Sequence, residues 1–427
     1  MIGRLPIVLL ALAAAAQDPQ SQDARMRARA ARELARQSSA VIPKLEPLLA
    51  DSVFEVRLEA VKALVAIGTQ HSLAPLARAT RDNDPEIQFR ATDGLVNFYL
   101  PGYVQTGLTA SLRRVGSGIK AQFTDTNDQV IPAHIEVRPE IIVALGQLAR
   151  GGVSFDVRAG AARALGILRG KAAIPDLLAA LRTKDDQVML ESLVALQKIA
   201  EPSAGPEVAF LLRDLNERIQ VAAIETTGLL RNREAGPRLR EVLQRAESVK
   251  VRRAALTALA MMAEEPTRPL FRTYLQDKDD GLRAAAAEGF ARLKNPADRP
   301  ALEKAFGEER KMNPRLSLAF ALVSGGRTEP GEFSPLQYLV NTLNSRLYRG
   351  VAQAFLIELA RETTVRRSLY PMLRIGAKEE KIGLAQILAS SGDQEALAYV
   401  EPLMRDADAE VGQAAIRAMQ AIRARTP

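Results

Sequence analysis

Apolar and small residues return along this chain at a spacing close to 31 residues. In "EVRLEAVKALVAIG" (Glu55 to Gly68), Val56, Ala60, Ala63 and Leu64 stand at i, i+4, i+7 and i+8. These positions share one face of a 3.6-residue helix. The anchor repeats at Ile87, Val157, Val188, Ile219, Val251, Leu282, Leu316, Leu347, Ile382 and Val411. The intervals are 31, 70, 31, 31, 32, 31, 34, 31, 35 and 29. Alanine follows four residues after the anchor in seven of the eleven units, and alanine or glycine seven after it in nine. Small side chains there allow a neighbouring helix to come close. The units anchored at Leu316, Leu347 and Ile382 are degenerate, with Phe320, Val351 and Gln386 at the alanine position.

Upstream of each anchor lies a second apolar stretch, such as "VIPKLEPLLAD" or "AAIPDLLAALRTKD". Proline recurs near its start (Pro43, Pro75, Pro175, Pro206, Pro237, Pro269), where a missing N–H costs little. Each unit is therefore read as a helical hairpin with a polar turn, unable to bury its apolar face alone and completed by stacking. "DARMRARAARELARQ" fits the second-helix pattern with Met26 as anchor and reads as a capping half-repeat. Asp recurs five residues before the anchor (Asp51, Asp82, Asp214, Asp277, Asp406), and Arg or Gln one residue after it (Arg57, Arg158, Arg252, Arg283; Gln88, Gln220). Two readings stand side by side: an Asp–Arg ladder tying turns to helices, or a basic stripe gripping an anionic ligand.

With its recurring leucines, "VR" and paired alanines, this pattern resembles HEAT repeats of the short bacterial kind, related to those of phycobilisome lyases, over roughly Ala24 to Thr426. The resemblance implies an all-α fold, an α-α superhelix or solenoid of about eleven hairpins. Second helices line the concave side in that family, whose repeats serve mostly as interaction surfaces.

The interval of 70 marks an insertion, assigned to residues 101–138. Val104, Leu108, Leu112 and Val115 recur at helical spacing, so Tyr103 to Val115 reads as a short helix. Beyond "GSG", Ile119, Ala121 and Phe123 alternate with polar residues, as do Ile131, Ala133, Ile135 and Val137 beyond "DTND". Alternation on both sides of an Asp/Asn-rich turn predicts a β-hairpin. Pro132 would make its second strand an edge, with His134 on the polar side.

Composition narrows the chemistry. Cysteine and tryptophan are absent, and histidine occurs only at 71 and 134. No thiol chemistry is possible, and no sequence motif of hydrolases, zinc sites or nucleotide binding appears. "SGIK" (Ser117 to Lys120) matches S-x-x-K without its partner motifs. Residues 1–16 combine Arg4, an apolar run of 12 residues from Leu5 and small residues at Ala14 and Ala16. That run is too short to span a bilayer and reads as a cleavable secretory signal. The remainder keeps 57 basic and 50 acidic residues, net +7, which favours anionic partners without naming one.

The sequence thus expects a signal peptide (1–16), an N-terminal capping helix (17–40), HEAT repeats (41–100), the insertion (101–138) and further HEAT repeats (139–427), degenerate around 300–390. It expects an exported, periplasmic or secreted, non-catalytic scaffold without catalytic residues, cofactor or metal, and with no transmembrane segment once the signal is removed. The expected partner is a protein, with an anionic ligand as a further option and nucleic acid disfavoured. Arg57, Arg158, Arg252, Arg283, Tyr103, Arg113, Arg114 and His134 are the candidate contact residues. The opposing class is an enzyme on the same scaffold, resembling a bilin lyase or a HEAT-like DNA glycosylase.

Overall fold

The computed structural model describes residues 19–103, 129–132 and 134–425. Among these residues every regular element is an α-helix or 3-10 turn. The chain forms two compact units, Met1–Leu230 and Arg231–Pro427. Numbering the second helix of each hairpin in chain order, the first unit holds α1 (Ala24–Leu34), α2 (Phe54–Ile67), α3 (Pro85–Tyr99), α4 (Phe155–Ile167), α5 (Asp186–Ile199) and α6 (Glu217–Leu229). The second unit holds α7 (Val249–Met261), α8 (Asp280–Leu293), α9 (Met312–Ser324), α10 (Arg349–Leu359), α11 (Lys378–Ser391) and α12 (Ala409–Arg425).

The turns start these helices by a common device. Asp84, Ser154, Asp185, Asn216 and Asp279 each accept a hydrogen bond from a backbone N–H of the first helical turn, satisfying donors that the helix leaves open. First helices are short, often a 3-10 turn followed by one or two α turns, as at Leu73–Ala79 and Ile174–Ala180. Pro175, Pro206, Pro237 and Pro269 stand in their first turn.

The recurring alanines are the seam of the stack. Ala60, Ala91, Ala161, Ala223, Ala255, Ala286 and Ala415 are all fully buried. At i+7, a Cβ on Gly94 would stand 2.5 Å from Val65 of the preceding α2 and 3.1 Å from Leu76 of its own hairpin. A Cβ on Gly289 would fall 2.6 Å from the ring of Phe271, a fully buried side chain of the first helix Arg268–Tyr274. Glycine there and phenylalanine opposite form one matched pair.

Two anchors read from the sequence lie elsewhere in the structure. Leu347 is 77% exposed, outside α10, while Ala352, Phe355 and Leu356 are buried. Those three take i+4, i+7 and i+8 counted from Tyr348. In α11 the buried residues at the anchor spacing are Glu380, Leu384, Ile387 and Leu388, so Glu380 replaces Ile382. Its carboxylate accepts the Ala377 N–H at 3.0 Å and an Asn344 amide N–H at 2.7 Å, which is how a charged residue fits a core position. From Leu316 the intervals become 32, 32 and 31, close to the period of the other repeats.

The predicted β-hairpin is not formed. Its second strand corresponds to residues 129–138, and the described ones hold no strand. They run as a strap across the C-terminal ends of α4 and α5. The Ile131 N–H donates to Ile167 O (3.0 Å), Arg169 Nε donates to Ile131 O (3.2 Å), and Lys198 Nζ donates to Gln129 O (3.3 Å). The backbone groups a partner strand would need are thus spent on helix ends, and Pro132 has no N–H to offer. Ile131 is buried, with Ile135 and Val137 packed partly buried on the same core. The alternation records a strap with one face on protein. The first predicted strand (119–124) and all but Tyr103 of the predicted short helix lie outside the described residues.

Gly289→Ala is expected to lower unfolding stability by about 1–3 kcal/mol, because overpacking against the Phe271 ring exceeds the gain in helix propensity. Chemical denaturation measures this, and adding Phe271→Leu should restore much of the loss.

Candidate partner-binding surfaces

The arginines after the anchors divide into two groups. Arg57 reaches back, donating from Nη1 to Asp51 O (2.9 Å), and forward, from Nε to Asp82 Oδ2 (2.7 Å). Arg283 does the same with Asp277 O (2.9 Å) and Glu309 Oε2 (2.7 Å). Arg27 reaches Asp51 at 2.6 Å. Arg57 and Arg283 thus each close the end of their own first helix and rivet the next turn, while Arg27 reaches back to Ser21 O and Gln22 O. Gln88 performs the backward half on Asp82 O (2.7 Å) and accepts the Val153 N–H at 3.2 Å. The ladder is therefore present, and it occupies the forks of Arg57 and Arg283.

Arg158 and Arg252 are differently placed. Arg158 donates from Nε to Gly152 O (2.7 Å), but the residue that would stand forward of it is Thr183, which has no carboxylate. Its guanidinium lies 5.3 Å from the ring of Phe155, which is 50% exposed. In the next such position Arg253, rather than Arg252, takes Asp279 (2.6 Å), and Arg252 Nε is buried without a partner.

At the root of the insertion, Tyr103 packs against the core of the first unit. Burial, reinforced by the negative charge of Asp93, pushes its phenol up to about 12. Beneath it Arg163 of α4, 7% exposed, pairs with Glu191 of α5 at 2.5 Å, and Gln187 donates to the same carboxylate at 2.8 Å. Sequence reasoning missed Arg163 and Glu191. The available signal was a charge six residues after an anchor, on the stacking side of the helix. His134 is exposed on the strap, and no carboxylate among the described residues forms an ion pair with it. Arg113 and Arg114 lie outside the described residues.

In the second unit, a cleft of about 250 Å³ opens where helices α7 to α10 end. Met261, Met262, Phe320 and Leu359 give it apolar lining, with Arg231 and Arg233 on one side and Glu358 and Glu362 on the other. Arg292 of α8 spans the cleft to Glu358 of α10 (3.1 Å), passing over Phe320 of the intervening α9 at 5.5 Å. Lys294 pairs with Glu362 in parallel. Phe320 stacks on Phe355 with ring centroids 4.5 Å apart. Glu288 sits below; burial raises its carboxyl, opposed by its Arg292 partner at 3.3 Å. The large side chain at the alanine position of α9 builds the floor of this cleft.

The profile of HEAT repeats matches residues 9–96, 142–226 and 236–323, more than half of the chain. The chain belongs to the HEAT-repeat family. Among solved structures, it is similar to the CpcE–CpcF complex of phycocyanin lyase from Nostoc sp. PCC7120, with 17% identity over 62% of this chain and 92% of that one, TM-score 0.37. It is similar to an engineered protein, with 19% identity over 95% and 97%, TM-score 0.36. Against Kap121p bound to Nup53p the identity is 13% over 99% of this chain and 57% of that one, TM-score 0.46. No curated protein matches the sequence.

The HEAT ladder makes stability depend on acid. Arg27 holds the Asp51 carboxyl below its usual value, chiefly by hydrogen bonding, and Arg253 does so for Asp279. A carboxyl lowered on folding stabilises the native state above its unfolded value of about 4, and that contribution disappears as pH falls through the folded value. Urea midpoints should therefore drop below about pH 4. An Asp51→Asn, Asp279→Asn double variant should be less stable at neutral pH and lose less on acidification.

The root of the insertion gives a spectroscopic test. Burial also raises the Tyr338 and Tyr370 phenols, so the test is by difference: Tyr103→Phe should remove one phenol's worth of tyrosinate absorbance from the rise near 12. Glu191→Ala leaves Arg163 buried without its carboxylate, with an expected cost of about 3 kcal/mol.

Proposed function

We propose that this HEAT-repeat chain is a non-catalytic adaptor of the cell envelope, exported by residues 1–16, that holds a protein partner in the cleft of its second unit. One observation carries the reading: an apolar floor between side chains of opposite charge. A polypeptide segment presents apolar side chains and both charges along one strand of chain, so such a cleft suits it. Of the cations around it, Arg292 and Lys294 are engaged with Glu358 and Glu362, and Arg233 pairs with Glu264 at 3.5 Å. Arg231 stands exposed on the rim.

The insertion is the second recognition element in this proposal. Both of its described roots are fastened in the first unit, Tyr103 at the Arg163–Glu191 pair and the strap on α4 and α5. That anchoring holds the described ends of the insertion to the first unit. Arg158 beside Phe155 adds a cationic group that the ladder ties backward to Gly152 O but gives no forward carboxylate.

Affinity capture from envelope extract tests the reading with three proteins: wild type, a deletion of residues 102–137, and Arg231→Glu with Phe320→Ala. The cleft variant should lose the partner, and the deletion should recover less of it. Undiminished capture by the cleft variant would sink the assignment to the cleft. Equal recovery by the deletion would remove the insertion from recognition. Mature protein found only in the cytosol with residues 1–16 retained would refute export.

A further inference from the structure

Three consecutive turns of the second unit share a composition that packing does not require. These turns lead into α10, α11 and α12, and each exposes one large apolar side chain beside one arginine. The pairs are Arg346–Leu347, Arg374–Ile375 and Met404–Arg405. Leu347 is 77% exposed, Ile375 83% and Met404 41%. None of the three arginines has an ion-pair or hydrogen-bond partner among the described residues, and all three are exposed.

Apart from Glu401, exposed at the head of the turn before α12, the acidic residues of the same turns are engaged internally. Glu379 binds Arg349 (2.6 Å), Asp406 binds Lys381 (2.9 Å), and Asp408 and Glu410 both bind Lys378 (2.9 and 2.7 Å). Each of these pairs joins one turn to the next, so the three turns are riveted side by side. With Arg346, Arg374 and Arg405 set against Glu401, the charge left over on this ridge is net positive, and it is held beside unburied apolar side chains.

We propose that this ridge docks on a membrane surface bearing anionic lipid headgroups. Arginine and an aliphatic side chain on one turn match the two chemistries of an interface, phosphate at headgroup level and hydrocarbon just below. The pairing repeats at three successive turns. A bilayer offers the same chemistry at every point, so an identical contact repeated along a rigid edge meets it in any register. A folded acidic partner would need matching pockets at the same spacing, and the cleft of this unit lies at the other end of the second helices. The proposal is independent of the partner assigned to that cleft. No helix among the described residues is long and apolar enough to cross a membrane, so the contact is peripheral.

Sedimentation of the full chain with phosphatidylglycerol–phosphatidylcholine vesicles tests the proposal, with phosphatidylcholine alone as reference. At about 50 mM salt the protein should bind the anionic vesicles, and about 0.5 M salt should release it. Arg346→Gln with Arg374→Gln and Arg405→Gln should weaken binding about tenfold or more, since each cation at an anionic surface adds to affinity. Leu347→Ser with Ile375→Ser should weaken it by about tenfold without any change of charge. Arg238→Gln with Arg417→Gln and Arg423→Gln removes equal charge elsewhere in the unit and should leave binding intact. All of these residues are exposed, and unchanged circular dichroism and melting confirm folding. The proposal is overturned if wild type ignores anionic vesicles, if the control triple loses as much as the ridge triple, or if the serine variant binds like wild type. Capture of a soluble acidic protein through the ridge, without vesicle binding, would equally overturn it.

Discussion

Everything in this molecule depends on how closely one second helix can approach the next. A hairpin of two amphipathic helices leaves an apolar face open to water, and the only cover available is the neighbouring hairpin. Fully buried alanines at the fourth position after the anchor, with alanine or glycine at the seventh, set that approach. The Cβ of a larger residue at the seventh position would enter a neighbour's side chain, as at Gly94 and Gly289. Once the spacing is fixed, the turns come into register, and arginines such as Arg57 and Arg283 can bridge one turn to the next. Within each unit, therefore, a repeat is stabilised chiefly by its neighbours.

Where the small residue is lost, the structure gains a surface. Phe320 stands where most repeats have alanine. It stacks on Phe355 and lies under Arg292. Helices α8 and α10 then meet above α9 through Arg292–Glu358 and Lys294–Glu362. In the first unit a different exchange occurs between α4 and α5. Thr183 leaves Arg158 without a forward carboxylate, and the tie moves inward to Arg163–Glu191, beneath Tyr103. The edge there is freed, with Phe155 exposed beside Arg158.

Much of this fold was legible in the sequence because one face of the second helix is read by simple periodicity. The register failed at α10 and α11 for a physical reason. A hydrophobicity pattern looks for an apolar anchor, and Glu380 is buried by two hydrogen bonds that no pattern of side-chain types can announce. The strap failed for another reason. Period-two alternation reports one buried face of extended chain, and it cannot say whether the backbone pairs with a strand or with the ends of helices. Arg57 and Arg283 hold the ladder position that the repeat pattern marks, but only the next turn's residue separates Arg57, opposite Asp82, from Arg158, opposite Thr183, and the pattern does not tell Arg252 from Arg253. Arg163, Glu191 and the α7–α10 cleft depend on contacts between repeats, which a single-repeat pattern does not contain.

The ladder also has a direction. Each joint has its donor on one repeat and its acceptor on the following one, a head-to-tail contact of the kind that builds open filaments when both faces stay available. Arg57 to Asp82 in the first unit and Arg283 to Glu309 in the second run the same way along the chain. Arg425 turns back onto the carbonyls of Ala389, Leu388 and Gly392. A repeat turned end for end would set arginine against arginine and carboxylate against carboxylate, so the same ties that hold neighbouring repeats together also fix the polarity in which they can be joined.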